Sequence, residues 1–197
     1  MKPLESAKTG FSIDKYGVIK LTIEHDLISG VTPKMLLWWF KNIGGEMSYQ
    51  GHTYPKYLVW HPRDHIHWCL VGKTTNGTIG EGSYFRIVEA FNQDMNLLVD
   101  STEFVEKLDE TGIRLTRKIL GILVFSLEHD FKQHGNNTVY QSKMNIGVNN
   151  VIGKLFNHCI RPLFFTKKMG EAWLKHNIEE VGNFELFLPE LYHKNHR

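Results

Sequence analysis

Hydrophobic positions change period several times along the chain, and each change marks an element. Met35, Leu36, Trp38, Trp39, Phe40 and Ile43 cover a broad helical face. Thr32 ahead of them can cap the free amides, and Pro33 suits the first helical position because its missing N–H costs nothing there. Gly44-Gly45 ends the run. Residues 1–30 read as a lead-in of turns and short extended pieces, clearest over Gly17–Ile23. Beyond the helix, Tyr54–Val71 alternates and is rich in β-branched and aromatic residues, which predicts one or two strands interrupted near Pro62. Regular alternation there points Ile66 and Trp68 one way and His65, His67 and Cys69 the other.

Gly77, Gly80 and Gly82 mark turns before another strand at residues 83–91, where Phe85, Ile87, Glu89 and Phe91 share a face. A carboxylate in that apolar company must be paired, protonated or bound to a cation, because a lone buried charge is costly. Strands are also expected at 96–99, 111–120, 122–131 and 138–146, with the glycine-asparagine turn at 133–137 closing a hairpin. From Asn149 the pattern turns helical, breaks at Pro162 and resumes from about Thr166 to Gly182 or slightly beyond it. A helix, a run of antiparallel strands and a long final helix fit an α+β fold whose curved sheet wraps that last helix. With no repeat, low-complexity tract or linker, residues 31–197 are expected to form a single domain after the lead-in.

Composition narrows the function. The 23 basic and 21 acidic side chains leave a net charge of +2 and no long run of one sign, which disfavours nucleic acid as a partner. No apolar stretch is long enough to span a membrane and no signal-peptide pattern opens the chain. Cys69 and Cys159 lack metal or disulfide spacing and read as reduced thiols, so a cytoplasmic protein without membrane contact is expected. Nothing in the sequence requires a homodimer, though it allows one. The glycine series lacks the phosphate-loop ending, and Ser83 has no nucleophile elbow.

Eleven histidines are the compositional oddity. On the last helix Met169, Trp173, His176, Glu180 and Phe184 form one stripe, from which Lys168, Lys175 and Glu179 fall away. A histidine and a carboxylate four residues apart can offer two ligands to one metal, although the same pair also arises as an ordinary core hydrogen bond. His61, His65 and His67 in the segment WHPRDHIHW, with Glu89 on the next strand, could complete a site of two histidines and two carboxylates. Such donors suit zinc, manganese or iron. Tyr57, Tyr140 and Trp38 are candidates to line a pocket for a planar ligand. His129 could transfer a proton or touch a ligand, although a polar hairpin end would expose it.

The segment TPKMLLWWFKNIGGEMSYQGHTYPKYLVWHPRDHIHW, together with His176-Asn177-Ile178-Glu179-Glu180, resembles the diacetylphloroglucinol hydrolase family. The resemblance implies a helix-grip domain, of the kind shared by Bet v 1-like pollen allergens and START-like lipid-transfer domains. It also implies a Zn2+-dependent hydrolase that cleaves a carbon–carbon bond beside a ketone in an acylated phenol or related polyketide. By the same resemblance the metal ligands are His65, Glu89, His176 and Glu180, with Glu81 competing for the place of Glu89. Tyr57 matches a substrate-contacting tyrosine, and Trp68 stands where a polar asparagine is expected. His67 and Tyr57 become candidates for proton transfer. The alternative is a non-catalytic helix-grip module that binds an aromatic or polyketide ligand.

Overall fold

The computed structural model describes residues 1–72 and 77–196. Among the described residues ten strands form: β1 (Lys8–Ile13), β2 (Ile19–Glu24), β3 (Glu46–Tyr49), β4 (His52–Pro55), β5 (His65–Leu70), β6 (Tyr84–Ala90), β7 (Leu98–Asp109), β8 (Gly112–Ile119), β9 (Ile122–His134) and β10 (Asn137–Ile146). Eight make one antiparallel sheet in the order β1-β2-β10-β9-β8-β7-β6-β5, and β3 and β4 form a small separate hairpin. Four α-helical segments accompany them: α1 (Pro33–Lys41), α2 (Lys56–Trp60), the short α3 (Gly153–Leu155) and the long α4 (Lys167–Lys194).

α1 starts as its sequence predicts. Thr32 accepts a hydrogen bond from the Met35 amide at 3.3 Å, and Pro33 occupies the first turn. Thr166 caps α4 in the same way, accepting from Met169 N at 3.2 Å. α4 runs well past Gly182, to Lys194, where an end at or slightly beyond that glycine was expected. A Cβ at that position would lie 2.6 Å from Lys2, so the glycine admits close packing of the N-terminal segment rather than a helix stop.

Two other expectations change. The lead-in at 1–30 supplies β1 and β2, both paired into the main sheet. Residues 56–60 are helical rather than extended, because α2 is folded onto α4. Asn183 Nδ2 donates to the carbonyls of Val59 and Trp60 at 3.0 and 2.9 Å, and Trp60 Nε1 donates to the Glu180 carbonyl at 3.0 Å.

The sheet curves around α4 and buries two faces of it. Met169, Trp173 and Ile178 meet Ile19, Leu21 and Met144, while Val181, Phe184 and Leu188 meet Trp39 and Phe40 of α1. Phe184 is fully buried at the centre, with ring centroids 5.2 Å from Trp60 and 5.9 Å from Trp39. Phe184→Ala should therefore lower unfolding free energy in urea by about 3–5 kcal/mol. A loss under about 1 kcal/mol would contradict this packing.

Candidate functional site

An irregularity in β5 determines which histidine faces inward. His65 pairs with Glu89 and His67 with Val88, so Ile66 is bulged out between them. The bulge turns His65 and Trp68 inward and leaves Ile66 and His67 exposed. Regular alternation had put His65 and His67 on one face and Trp68 on the other. His67 is thus directed away from the site.

His65 and Glu89 meet His176 and Glu180 of α4 at one point. His65 Nε2 lies 3.4 Å from Glu89 Oε1 and 3.4 Å from Glu180 Oε2. His176 Nε2 lies 3.6 Å from Glu89 Oε2 and 3.7 Å from Glu180 Oε2. Glu81, the competing position, is exposed on the loop before β6. Both imidazoles are fixed from behind. His65 Nδ1 sits 2.7 Å from the Tyr57 carbonyl, and His176 Nδ1 sits 3.0 Å from Asp64 Oδ2. Each therefore carries its proton on Nδ1 and turns a lone pair on Nε2 toward the shared point. His65 Nε2 is buried without a hydrogen-bond partner.

Asp64 was not singled out from the sequence, yet its neighbour His65 gave the signal. A metal-binding histidine usually hands its second nitrogen to a carboxylate or carbonyl, and an aspartate beside the histidine cluster was the available one. Asp64 also accepts the amides of Asn92 and Gln93 at 3.1 and 3.3 Å. Asn177 Nδ2 donates to Glu180 Oε1, and Tyr57 donates its hydroxyl to Glu89 Oε1 while stacking on His65 at 3.8 Å. His61, also in the segment, stacks on His176 at 4.5 Å and bonds Glu179 at 3.2 Å.

Burial dominates the electrostatics. It raises Glu89 to about 7 and Glu180 to about 8, lowers His176 to about 3 and lowers His65 as well. Burial also raises Asp64, but hydrogen bonding to His176 and attraction to His61 and His176 outweigh it and bring the group down to about 2. The centre thus holds two neutral imidazoles beside two carboxyls that burial keeps from ionising. A divalent cation reverses that preference, since it takes neutral imidazole and ionised carboxylate as ligands. Two buried groups, His65–Glu89–His176 and His61–Asp64–His176, have ligand-like spacing. In the second, the His176–Asp64 contact is already a hydrogen bond, so the first is the better cation cradle. The donor set fits a metal.

The cluster forms one wall of a 710 Å³ cavity between the sheet and α4. Tyr57, Trp68 and His129 also line it, and apolar side chains such as Phe85, Ile87 and Leu115 make most of the remainder. Two predicted ligand contacts do not reach it. Tyr140 is buried behind the wall against Phe131 and His129, and Trp38 packs outside against Tyr192 and His196. On the inner sheet face Arg117 pairs with buried Glu103 at 2.8 Å, a polar element that sequence did not single out.

A second histidine pair, His129 on β9 and His25 just after β2, meets at Ser142 of β10. One hydroxyl, Ser142 Oγ, sits 2.9 Å from His129 Nδ1 and 2.8 Å from His25 Nε2. Burial pushes both imidazoles down to about 3, reinforced for His129 by His25 and opposed for His25 by a hydrogen bond with Asn177. His129 is therefore buried and neutral, not exposed at a hairpin end.

Comparisons with known proteins support the architecture. The fold matches Ara h 8.0201 (TM-score 0.53, 10% identity, 88% of this chain and 99% of that one) and major latex-like protein 151 from Panax ginseng (0.54, 9%, 86% and 96%). It also matches a START superfamily protein from Mycobacterium smegmatis (0.53, 12%, 91% and 99%). At such identities these likenesses concern fold alone. No family model and no curated protein matches the chain. The expected zinc-dependent carbon–carbon hydrolase is overturned on that ground. Nothing of a hydrolase family matches, and none of the three similar structures is described as a hydrolase. The proton-transfer roles given to His67 and Tyr57 fall with it, the former also because its side chain faces outward.

The neutral state of His129 has a measurable consequence. The unfolded chain protonates it near its ordinary 6.5, whereas the folded chain resists until about 3, so stability is undiminished above about pH 6.5 and falls on acidification. By pH 5 this group alone should remove about 2 kcal/mol. Urea unfolding of His129→Gln should show a correspondingly shallower loss between pH 7 and 5, and an unchanged loss would show that His129 is not held neutral. The chain has the α+β helix-grip fold, a curved antiparallel sheet gripping a long C-terminal helix.

Proposed function

We propose that this chain is a helix-grip binding module for a small aromatic or polyketide ligand, with a zinc ion bound at one wall of its cavity. The observation that carries this is a largely apolar cavity of 710 Å³ onto which four polar donors converge. Its size lies within the range of small-molecule sites, which are mostly apolar with a few placed polar groups. The aromatic walls, Trp60, Trp68 and Phe85 among them, suit a flat, weakly polar molecule. Arg117 and Glu103 add a donor and an acceptor on the sheet side, where Glu103 Oε2 has no hydrogen-bond partner.

His65, Glu89, His176 and Glu180 would hold the ion. Zinc bonds nitrogen and carboxylate oxygen at about 2.0–2.2 Å, which puts tetrahedral donors about 3.3–3.6 Å apart. Three of the four histidine–glutamate distances, 3.4, 3.4 and 3.6 Å, fall in that range and the fourth, 3.7 Å, lies just above it. Bound there, zinc would supply a fixed positive charge able to anchor an anionic oxygen of the ligand. Asp64 and the Tyr57 carbonyl would keep the imidazoles turned to it.

Two measurements test these parts separately. Elemental analysis of purified protein should find about one zinc per chain, with His176→Ala abolishing retention and Asp64→Asn weakening affinity about 10–100-fold. Lys175→Ala, whose amine points to Glu179 and Asn92 at the surface, should leave it unchanged. Full zinc retention by His176→Ala would remove the metal assignment. For the cavity, titration of acylated phenols and β-diketones should quench tryptophan fluorescence saturably. Ile87→Trp, which fills the cavity, should weaken that binding about tenfold or more. No saturable binding across the panel, in a folded and zinc-loaded sample, would refute the binding module.

A further inference from the structure

One end of the molecule carries an apolar surface unlike the rest. The β8–β9 hairpin ends in Ile119-Leu120-Gly121-Ile122, with Leu120 97% exposed. Beside it, the chain between β10 and α4 presents Val151, Ile152, Leu155, Leu163 and Phe164 to solvent, with Ile152 90% exposed. These two segments are distant in sequence but meet around the cavity, since Ile119, Ile160, Leu163 and Phe164 all line it. They form its rim.

Local preferences do not explain this composition. Leu120 and Gly121 both have positive φ, 50° and 79°, the conformation of a tight hairpin turn in which asparagine followed by glycine is favoured. A leucine there is strained and fully exposed at once. So many large apolar side chains in one contiguous area mark an interaction surface.

Its charge identifies the partner. Residues 149–170 contain Lys154, Arg161, Lys167 and Lys168 and no acidic residue, and the hairpin adds Lys118; Lys167 and Lys168 pair with Glu171 and Asp94 at 3.5 and 3.2 Å. Lys118 and Lys154 are exposed, and neither makes an ion pair among the described residues. Two copies joined through this face would bring like charges together. An anionic bilayer offers the complement: apolar side chains enter the headgroup boundary while lysines and arginines meet lipid phosphates and carboxylates. We propose that the cavity rim, built from the β8–β9 hairpin tip and residues 151–164, docks on the surface of an anionic lipid bilayer. No helix of the described residues is long and apolar enough to cross a membrane, so the contact is peripheral. The sequence hid it because the basic residues lie in two separate stretches and form no single run.

Docking does not depend on the ligand assigned to the cavity, so sedimentation with vesicles tests it without ligand. The protein should pellet with phosphatidylcholine vesicles carrying about one-third phosphatidylserine and much less with pure phosphatidylcholine. Each basic residue at the surface contributes about fivefold in partitioning, so binding should also weaken steeply with salt. Leu120→Asp with Ile152→Asp, both at nearly fully exposed positions, should cut binding about tenfold or more while leaving circular dichroism and thermal midpoint unchanged. Lys118→Glu with Lys154→Glu should lose the preference for phosphatidylserine. Absence of pelleting by the wild type, or equal pelleting of the aspartate variant, overturns the proposal. So does a concentration-dependent dimer in ultracentrifugation that those aspartates dissolve, which would make the rim a self-association face.

Discussion

The structure is organised around the cost of hiding four polar side chains from water. Two imidazoles and two carboxyls face one another where the sheet meets α4, with apolar side chains on nearly every other side. Unpaired, such groups would each cost several kcal/mol. Their surroundings answer that cost from outside the cluster. The Tyr57 carbonyl, Asp64, Asn177 and the Tyr57 hydroxyl each satisfy one atom, and what they leave unsatisfied points inward. The bulge at Ile66, the fold of α2 onto α4 and the turn at Asn92-Gln93 all serve to place these partners.

How far sequence could reveal this depended on the range of the interactions. Spacing on one helix is local, so the stripe holding His176 and Glu180 was legible, as was the cap at Thr32. Glu89 was flagged because strict alternation put it among aromatics, and β6 is regular. β5 is not: a single extra residue reversed the orientation of His67 and Trp68, and nothing in WHPRDHIHW announces a bulge. Residues 56–60 carry strand-forming side chains, yet contacts with Asn183 hold them helical, a tertiary effect that no local pattern contains. Trp38 and Tyr140 illustrate a third limit, for an aromatic residue can be recognised as packed without revealing on which side of a wall it packs.

Fold and chemistry also separate here. Proteins at 9–12% identity share the curved sheet and long helix, while the arrangement of His65, Glu89, His176 and Glu180 belongs to particular side chains on that frame. The grip leaves an internal space because the inner sheet face and α4 do not close on each other along their full length. One wall of that space is polar and held rigidly by hydrogen bonds, whereas its rim consists of hairpin tip and short helical turns with few buried side chains.

The shared hydroxyl of Ser142 couples two histidines that do not touch the cluster of His65, Glu89, His176 and Glu180 directly. A hydroxyl has one proton, so it can donate to only one of the two ring nitrogens and must accept from the other. His25 and His129 therefore cannot choose tautomers independently: when one presents a bare nitrogen to Ser142, the other presents N–H. His25 is partly accessible while His129 faces the cavity. A change in what His25 meets at the surface would thus rewrite, through one rotating hydroxyl, whether the far ring nitrogen of His129 shows the cavity a proton or a lone pair.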